Sequence, residues 1–154
     1  MYSAQDFMAI AIEEAIKGKE IGEVPVGAII VRHNEIIAKS HNKIQSQNNP
    51  LFHSEIIAIN SAIEILRTKY LTDCDIYVTL EPCVTCAGAI VLSRLRRLYI
   101  GTEDMKSGAC GSVFNIVKEK RLNHNVEVYF GINEYKCKLL LTDFFKEIRN
   151  KPLL

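Results

Sequence analysis

The stretch "DIYVTLEPCVTCAGAIVLSRLRRLYIG" (Asp75 to Gly101) decides how the rest of the chain is read. Asp75 to Leu80 is a short apolar strand with β-branched and aromatic residues. Cys83 to Arg94 is a helix of small and aliphatic residues, and Arg97 to Gly101 is a second strand. At the first junction stands Pro82, followed by Cys83 and Cys86. Two thiols at this spacing admit three readings: a redox dithiol, half of a structural zinc clamp, or part of a catalytic metal site. The rest of the chain has to choose among them.

Working outward, helix and strand keep alternating. Ser3 is a plausible N-cap for a helix over Ser3 to Lys17, with Phe7, Ile10, Ala11 and Ala15 on one face and Gly18 and Gly22 marking its exit. Val26 to Arg32 and Glu35 to His41 form two strands around a tight turn at Asn34. A polar loop, Gln45 to Pro50, leads to a helix from Ser54 to Tyr70, on which Ile56, Ile59, Ile63 and Leu66 recur at helical spacing. "KSGACGS" is a glycine-rich loop, with a short helix possible over Phe114 to Lys120. Val126 to Phe130 is the last strand and Glu134 to Asn150 the closing helix. The order α-β-β-α-β-α-β-β-α predicts an α/β fold, a mixed sheet covered by helices on both faces. With no repeat, linker or low-complexity tract, residues 1–154 are expected to form a single domain.

The chain of 154 residues is 48% apolar and 24% charged, the balance of a globular domain, and its formal charge of +1 supplies no global attraction to a polyanion. Any nucleic acid would be held by local basic groups; Arg94, Arg96 and Arg97, and Lys146, Arg149 and Lys151, are the candidates. No stretch has the length and apolarity of a membrane span, and the N-terminus lacks the layout of a signal peptide, so a cytoplasmic location is expected. Five cysteines in a reducing compartment argue against a disulfide framework. Cys74, Cys110 and Cys137 read as small buried residues, and His33, His41 and His124 as hydrogen-bonded or solvated histidines.

The partner for the two thiols is "HSEI", His53 to Ile56. Two positions apart, His53 and Glu55 diverge by about 200° inside a helix, and only at a helix N-terminus can both lean toward one point. Pro50 just upstream suits such a terminus. Two helices would then aim their N-terminal ends at one ion, which favours thiolates. His53, Cys83 and Cys86 make three ligands, which leaves a fourth zinc position open, as catalytic sites require. Zinc lowers the pKa of bound water to about 7, and Glu55, beside the metal without ligating it, suits a proton shuttle. A thioredoxin-like dithiol would leave His53 and Glu55 without a role. A structural site would want a fourth Cys or His, for which no second close pair exists.

His53-x-Glu55 followed by Pro82-Cys83-x-x-Cys86 is the zinc nucleobase-deaminase signature. With "EVPVGAIIV", "EDMKSGACGS", "NHNVEVYFGI" and "LLLTDFFKEIR" in order from near residue 23 to near 149, the chain resembles the bacterial tRNA-specific adenosine deaminases. The resemblance implies a three-layer α/β/α sandwich around a central mixed five-stranded sheet, of the cytidine deaminase-like type. It also implies a homodimer, one Zn2+ per chain, and conversion of the wobble adenosine (position 34) in the anticodon stem-loop of an arginine tRNA to inosine. Carried over by position, His53, Cys83 and Cys86 hold zinc and Glu55 is catalytic. Asn42 would bond the extruded base, the backbone around Ser54 and Pro82 would line the pocket, and Asp104, Lys106 and Arg149 would meet substrate. The chain departs from the family pattern at Ser54 (usually Ala), Thr85 (usually Met), and Asn48, Asn49, Leu51 and Phe52 in "NNPLFHSE". The competing enzyme reading is a free-base or nucleoside deaminase acting on guanine or cytosine. Outside enzymes, it is a non-catalytic zinc module.

Overall fold

The computed structural model describes residues 1–151; the last three residues of the expected domain lie outside the described residues. Elements follow in the order α1 (Ala4–Glu20), β1 (Gly27–Arg32), β2 (Glu35–His41), α2 (Ser54–Leu66), β3 (Cys74–Leu80), α3 (Val84–Leu92), β4 (Arg97–Thr102), β5 (Glu127–Tyr129) and α4 (Glu134–Arg149). The expected short helix is a single 3-10 turn, Ile116–Lys118. One five-stranded sheet runs β2-β1-β3-β4-β5. β1 is antiparallel to both neighbours, while β3, β4 and β5 run parallel, so the sheet is mixed as predicted.

Both faces of the sheet are buried, which explains why β1 reads as an unbroken apolar run rather than an alternating one. Ala28 and Ile30 face the cluster that holds Ala58, Ala62, Ala87 and Ile90 of α2 and α3. Ile29 and Val31 face the opposite cluster, with Phe7, Met8 and Ala11 of α1 and Cys137 of α4. Two leaflets of core on one sheet make the three-layer sandwich. On the α1/α4 side, Tyr77, Tyr99 and Tyr129 are register partners across β3, β4 and β5. Their rings stack at centroid distances of 4.3 and 5.0 Å.

Local chemistry fixes the ends. Ser3 and Asp6 close a reciprocal capping box on α1. That helix runs through Gly18 to Glu20, because its packing on β1 outweighs the glycine penalty. Gly27 is required where β1 meets α1, since a Cβ there would overlap the Ala11 carbonyl. His33 and Asn34, both at positive φ, make the tight turn between β1 and β2. α2 stops at Leu66, four residues before its expected end, because Arg67 turns into the left-handed region and its N–H bonds back to Ile63 O. Arg94, also left-handed, follows the end of α3, and β5 is confined to three residues.

Candidate active site

The strand order brings the C-terminal end of β3 beside the N-terminal end of α2. His53 and Cys83 are the N-cap residues of α2 and α3, each with extended backbone, and neither uses its side chain to cap its own helix. Both side chains are therefore released toward the space between the two helix ends, and Cys86 joins them from the first turn of α3. His53 Nδ1 lies 3.6 Å from Cys83 Sγ and 3.4 Å from Cys86 Sγ. All three donor atoms lie within 4.8 Å of one another. A tetrahedral zinc with Zn–S of about 2.3 Å and Zn–N of about 2.0 Å requires an N···S edge of roughly 3.6 Å. The donor set and its spacing fit the ion.

Charge at the trio follows from these contacts. Hydrogen bonding from Cys86 outweighs burial and, with His53, draws the Cys83 thiol down to about 3. The Cys86 proton is held by the Cys83 sulfur and by burial. His53 is raised above its ordinary value, chiefly by its bond to Cys83. One thiolate is thus already favoured, in the field of two helix N-termini.

Glu55, in the first turn of α2, is 3% exposed. Burial raises its carboxyl, while the Ser54 hydroxyl, donating to Glu55 Oε1 at 2.7 Å, opposes that rise. A carboxyl elevated by its surroundings beside a metal-competent trio is suited to proton transfer near neutral pH. Ser54 is itself fully buried: its N–H donates to Asn42 Oδ1 at 2.8 Å and its carbonyl accepts from Ser40 Oγ.

A cavity of about 530 Å³ opens over this group, lined by His53, Glu55 and Cys83, by Val24, Val26, Asn42 and Ile44 on one side, and by Glu103 to Ser107 with Leu141 and Phe145 on the other. Of the residues singled out from sequence, the structure places Asn42, Asp104 and Lys106 at this cavity, together with His53, Cys83 and Glu55, while Cys86 is buried behind them. Ser54 and Pro82 do not reach its wall. Ser54 works from behind Glu55, and the Pro82 carbonyl accepts from Ala109 N–H. Asp104 accepts from Lys106 N–H and from Ser107 N–H and Oγ, bracing its loop. Arg149 is exposed in the last turn of α4, away from the lining. Arg96 and Arg97 sit at the other end of the sheet, paired with Asp75 and Glu127, and Arg94 lies over the Tyr70 ring. All three are engaged within the chain, away from the cavity lining. Leu141 and Phe145 escaped the sequence reading; only the "LLLTDFFKEIR" block hinted at them, and their helical phase alone does not say which face meets a cavity.

An α/β/α sandwich whose paired helix ends hold His, two Cys and an adjacent buried Glu is the make-up of a cytidine deaminase-like enzyme. A family model described as MafB19-like deaminase matches residues 2–149. The tRNA-specific adenosine deaminase of Aquifex aeolicus is 47% identical over 145 residues, covering 94% of this chain and 95% of that one. That of Bacillus subtilis is 43% identical, covering 94% and 90%. A solved structure from work on A-to-I editing by tRNA:A34 deaminases superposes with a TM-score of 0.85 at 40% identity, covering 88% of this chain and 98% of that one. A guanine deaminase from Nitrosomonas europaea, at 20% identity and a TM-score of 0.79 over 94% and 85% of the two chains, shares the fold alone. This chain belongs to the tRNA-specific adenosine deaminases, within the MafB19-like deaminase family.

Proposed function

We propose that the protein hydrolyses the wobble adenosine (position 34) of an arginine tRNA to inosine, releasing ammonia, with one Zn2+ per chain held by His53, Cys83 and Cys86. The observation that carries this reading is a metal-competent trio beside a buried glutamate, with His53, Cys83 and Glu55 lining one open cavity. Identity of 37 to 50% with curated tRNA-specific adenosine deaminases supplies the substrate class.

Zinc in this trio would supply Lewis-acid activation of water at neutral pH. Glu55 is the proton carrier: its carboxylate takes one proton from the attacking water to N1 of the adenine and then the second to the C6 amine, so that C6 gains a carbonyl oxygen as the C6–N bond breaks and ammonia leaves. Asn42, fixed by its bonds to Ser54 N–H and the Val24 carbonyl, presents its remaining amide positions to the base. Val24, Val26, Leu80 and Leu141 form apolar walls that shed water from an extruded base. Asp104, Lys106 and the more distant Arg149 are assigned to the flanking RNA, with Lys106 and Arg149 supplying positive charge.

The chain is read as a single deaminase domain, working as a homodimer in the cytoplasm. Exposed apolar side chains support the dimer: Val84 and Leu92 on α3, and Val113 and Phe114 between β4 and β5. No helix among the described residues is long and apolar enough to cross a membrane. Incubation with an anticodon stem-loop bearing a wobble adenosine, and in parallel with free guanine and cytosine, tests the assignment. Inosine in the RNA is the expected result; ammonia released only from the free bases would overturn it.

A further inference from the structure

Two carboxylates outside the reacting set, Glu23 and Glu81, are 1% and 2% exposed. Burying a carboxylate costs several kcal/mol unless donors surround it. Neither has a cation partner among the described residues, and both are surrounded by main-chain N–H groups of loops. Glu23 accepts from Gln45 N–H at 3.0 Å and Ser46 N–H at 2.7 Å. Glu81 accepts from Asp104 N–H at 3.1 Å, Cys110 N–H at 3.0 Å, Ser112 N–H at 3.1 Å and the Ser112 hydroxyl.

These two loops are the opposite walls of the active-site cavity. The segment held by Glu23 carries Ile44 and leads into His53, and Val24, next to Glu23, lines the cavity and accepts from Asn42. The segment held by Glu81 carries Glu103 to Ser107. Glu81 itself stands two residues before Cys83, so the carboxylate ties this wall directly to the strand end that delivers a metal ligand. Gly108 completes the fit: a Cβ there would overlap both the Glu81 carboxylate carbon and the Asp104 carbonyl.

We propose that Glu23 and Glu81 are paired positioning residues, each clamping one wall of the cavity through loop N–H groups so that the gap between the walls grips the extruded nucleotide. The proposal rests on the deaminase reading above. Neither side chain takes part in proton transfer; both act on how firmly substrate is held. A glutamine in either place keeps the shape but turns an NH2 toward donors, leaving some of them unpaired.

The test compares Glu23→Gln, Glu81→Gln and Ser112→Ala with the unaltered protein, all loaded with zinc. It combines steady-state kinetics on the wobble-adenosine stem-loop, metal content and amide hydrogen exchange. In the glutamine variants KM is expected to rise about 10-fold or more with kcat changed less than about 3-fold, and metal to stay at one ion per chain. Faster exchange is expected only over residues 103–112 in Glu81→Gln and only over 43–49 in Glu23→Gln. Ser112→Ala, which removes one of four donors, should give a smaller shift of the same kind. Unchanged KM and exchange would overturn the proposal. So would an equal fall in kcat and metal content, or global unfolding of both glutamine variants with Ser112→Ala unaffected. If the unaltered protein makes no inosine, the deaminase reading fails, while the exchange measurement still decides whether these carboxylates clamp the loops.

Discussion

Glu55 is pulled two ways. Burial raises its carboxyl, and the Ser54 hydroxyl, by donating to the charged form, lowers it. Ser54→Ala removes the lowering contact, so the Glu55 carboxyl should rise further. The acid limb of the pH–rate profile for kcat is then expected to move to higher pH, read on the stem-loop substrate. Glu55→Ala should keep its metal by elemental analysis and lose about 10² to 10⁴ in kcat, the usual scale for losing an acid–base group. At this scale the sequence was most informative about the candidate site. His53, Glu55, Cys83 and Cys86 are residue types with few other reasons to recur at such spacing. Glu23 and Glu81 were illegible, because a carboxylate beside an apolar run reads as a solvated charge. Only the pairing of β3 with β4 brings Glu81 beside residues 104 to 112.

Among the elements, α1 is tied to the edge strand β2 through Glu14, which pairs with Lys17 at 2.8 Å and with His41 at 3.3 Å. Burial would raise Glu14, but these partners outweigh it and hold the carboxyl below its ordinary 4.5. For an acid lowered on folding, the stabilisation is complete above the unfolded value and is lost as pH falls through the folded one. Glu14→Gln should therefore cost roughly 1 kcal/mol at pH 7 in urea titrations, and the difference from the unaltered protein should close well below pH 4.5. Element types were legible throughout, since each long segment has a clear period. Ends were less so. The exit of α2 at Arg67 carries no glycine to announce it, and α1 passes through Gly18, where a glycine signalled a stop.

At the scale of the whole molecule, the sandwich buries nearly every large apolar group of the sheet yet leaves Leu92 at 78% exposure on α3. An isolated exposed leucine is ordinary. With Val84, Val113 and Phe114 also exposed, α3 and the segment after β4 offer apolar area for an interface. Light scattering is expected to report twice the 17.4 kDa chain mass, and Leu92→Asp to return it toward one chain with the fold kept. A single-chain mass for the unaltered protein would reject the dimer.

The tyrosine stack across β3, β4 and β5 gives the molecule an optical handle. The sequence has six tyrosines and no tryptophan, so near-ultraviolet circular dichroism and intrinsic fluorescence arise chiefly from tyrosine rings. The Tyr77 and Tyr99 rings lie 3° from parallel, stacked at 4.3 Å, a geometry in which their transitions couple strongly. The stack occupies the sheet face packed by α1 and α4, opposite the α2 and α3 ends that carry the donor trio. Its dichroic signal therefore reports strand registry, and it should stay constant while zinc is titrated in or out and fall only when the parallel strands part.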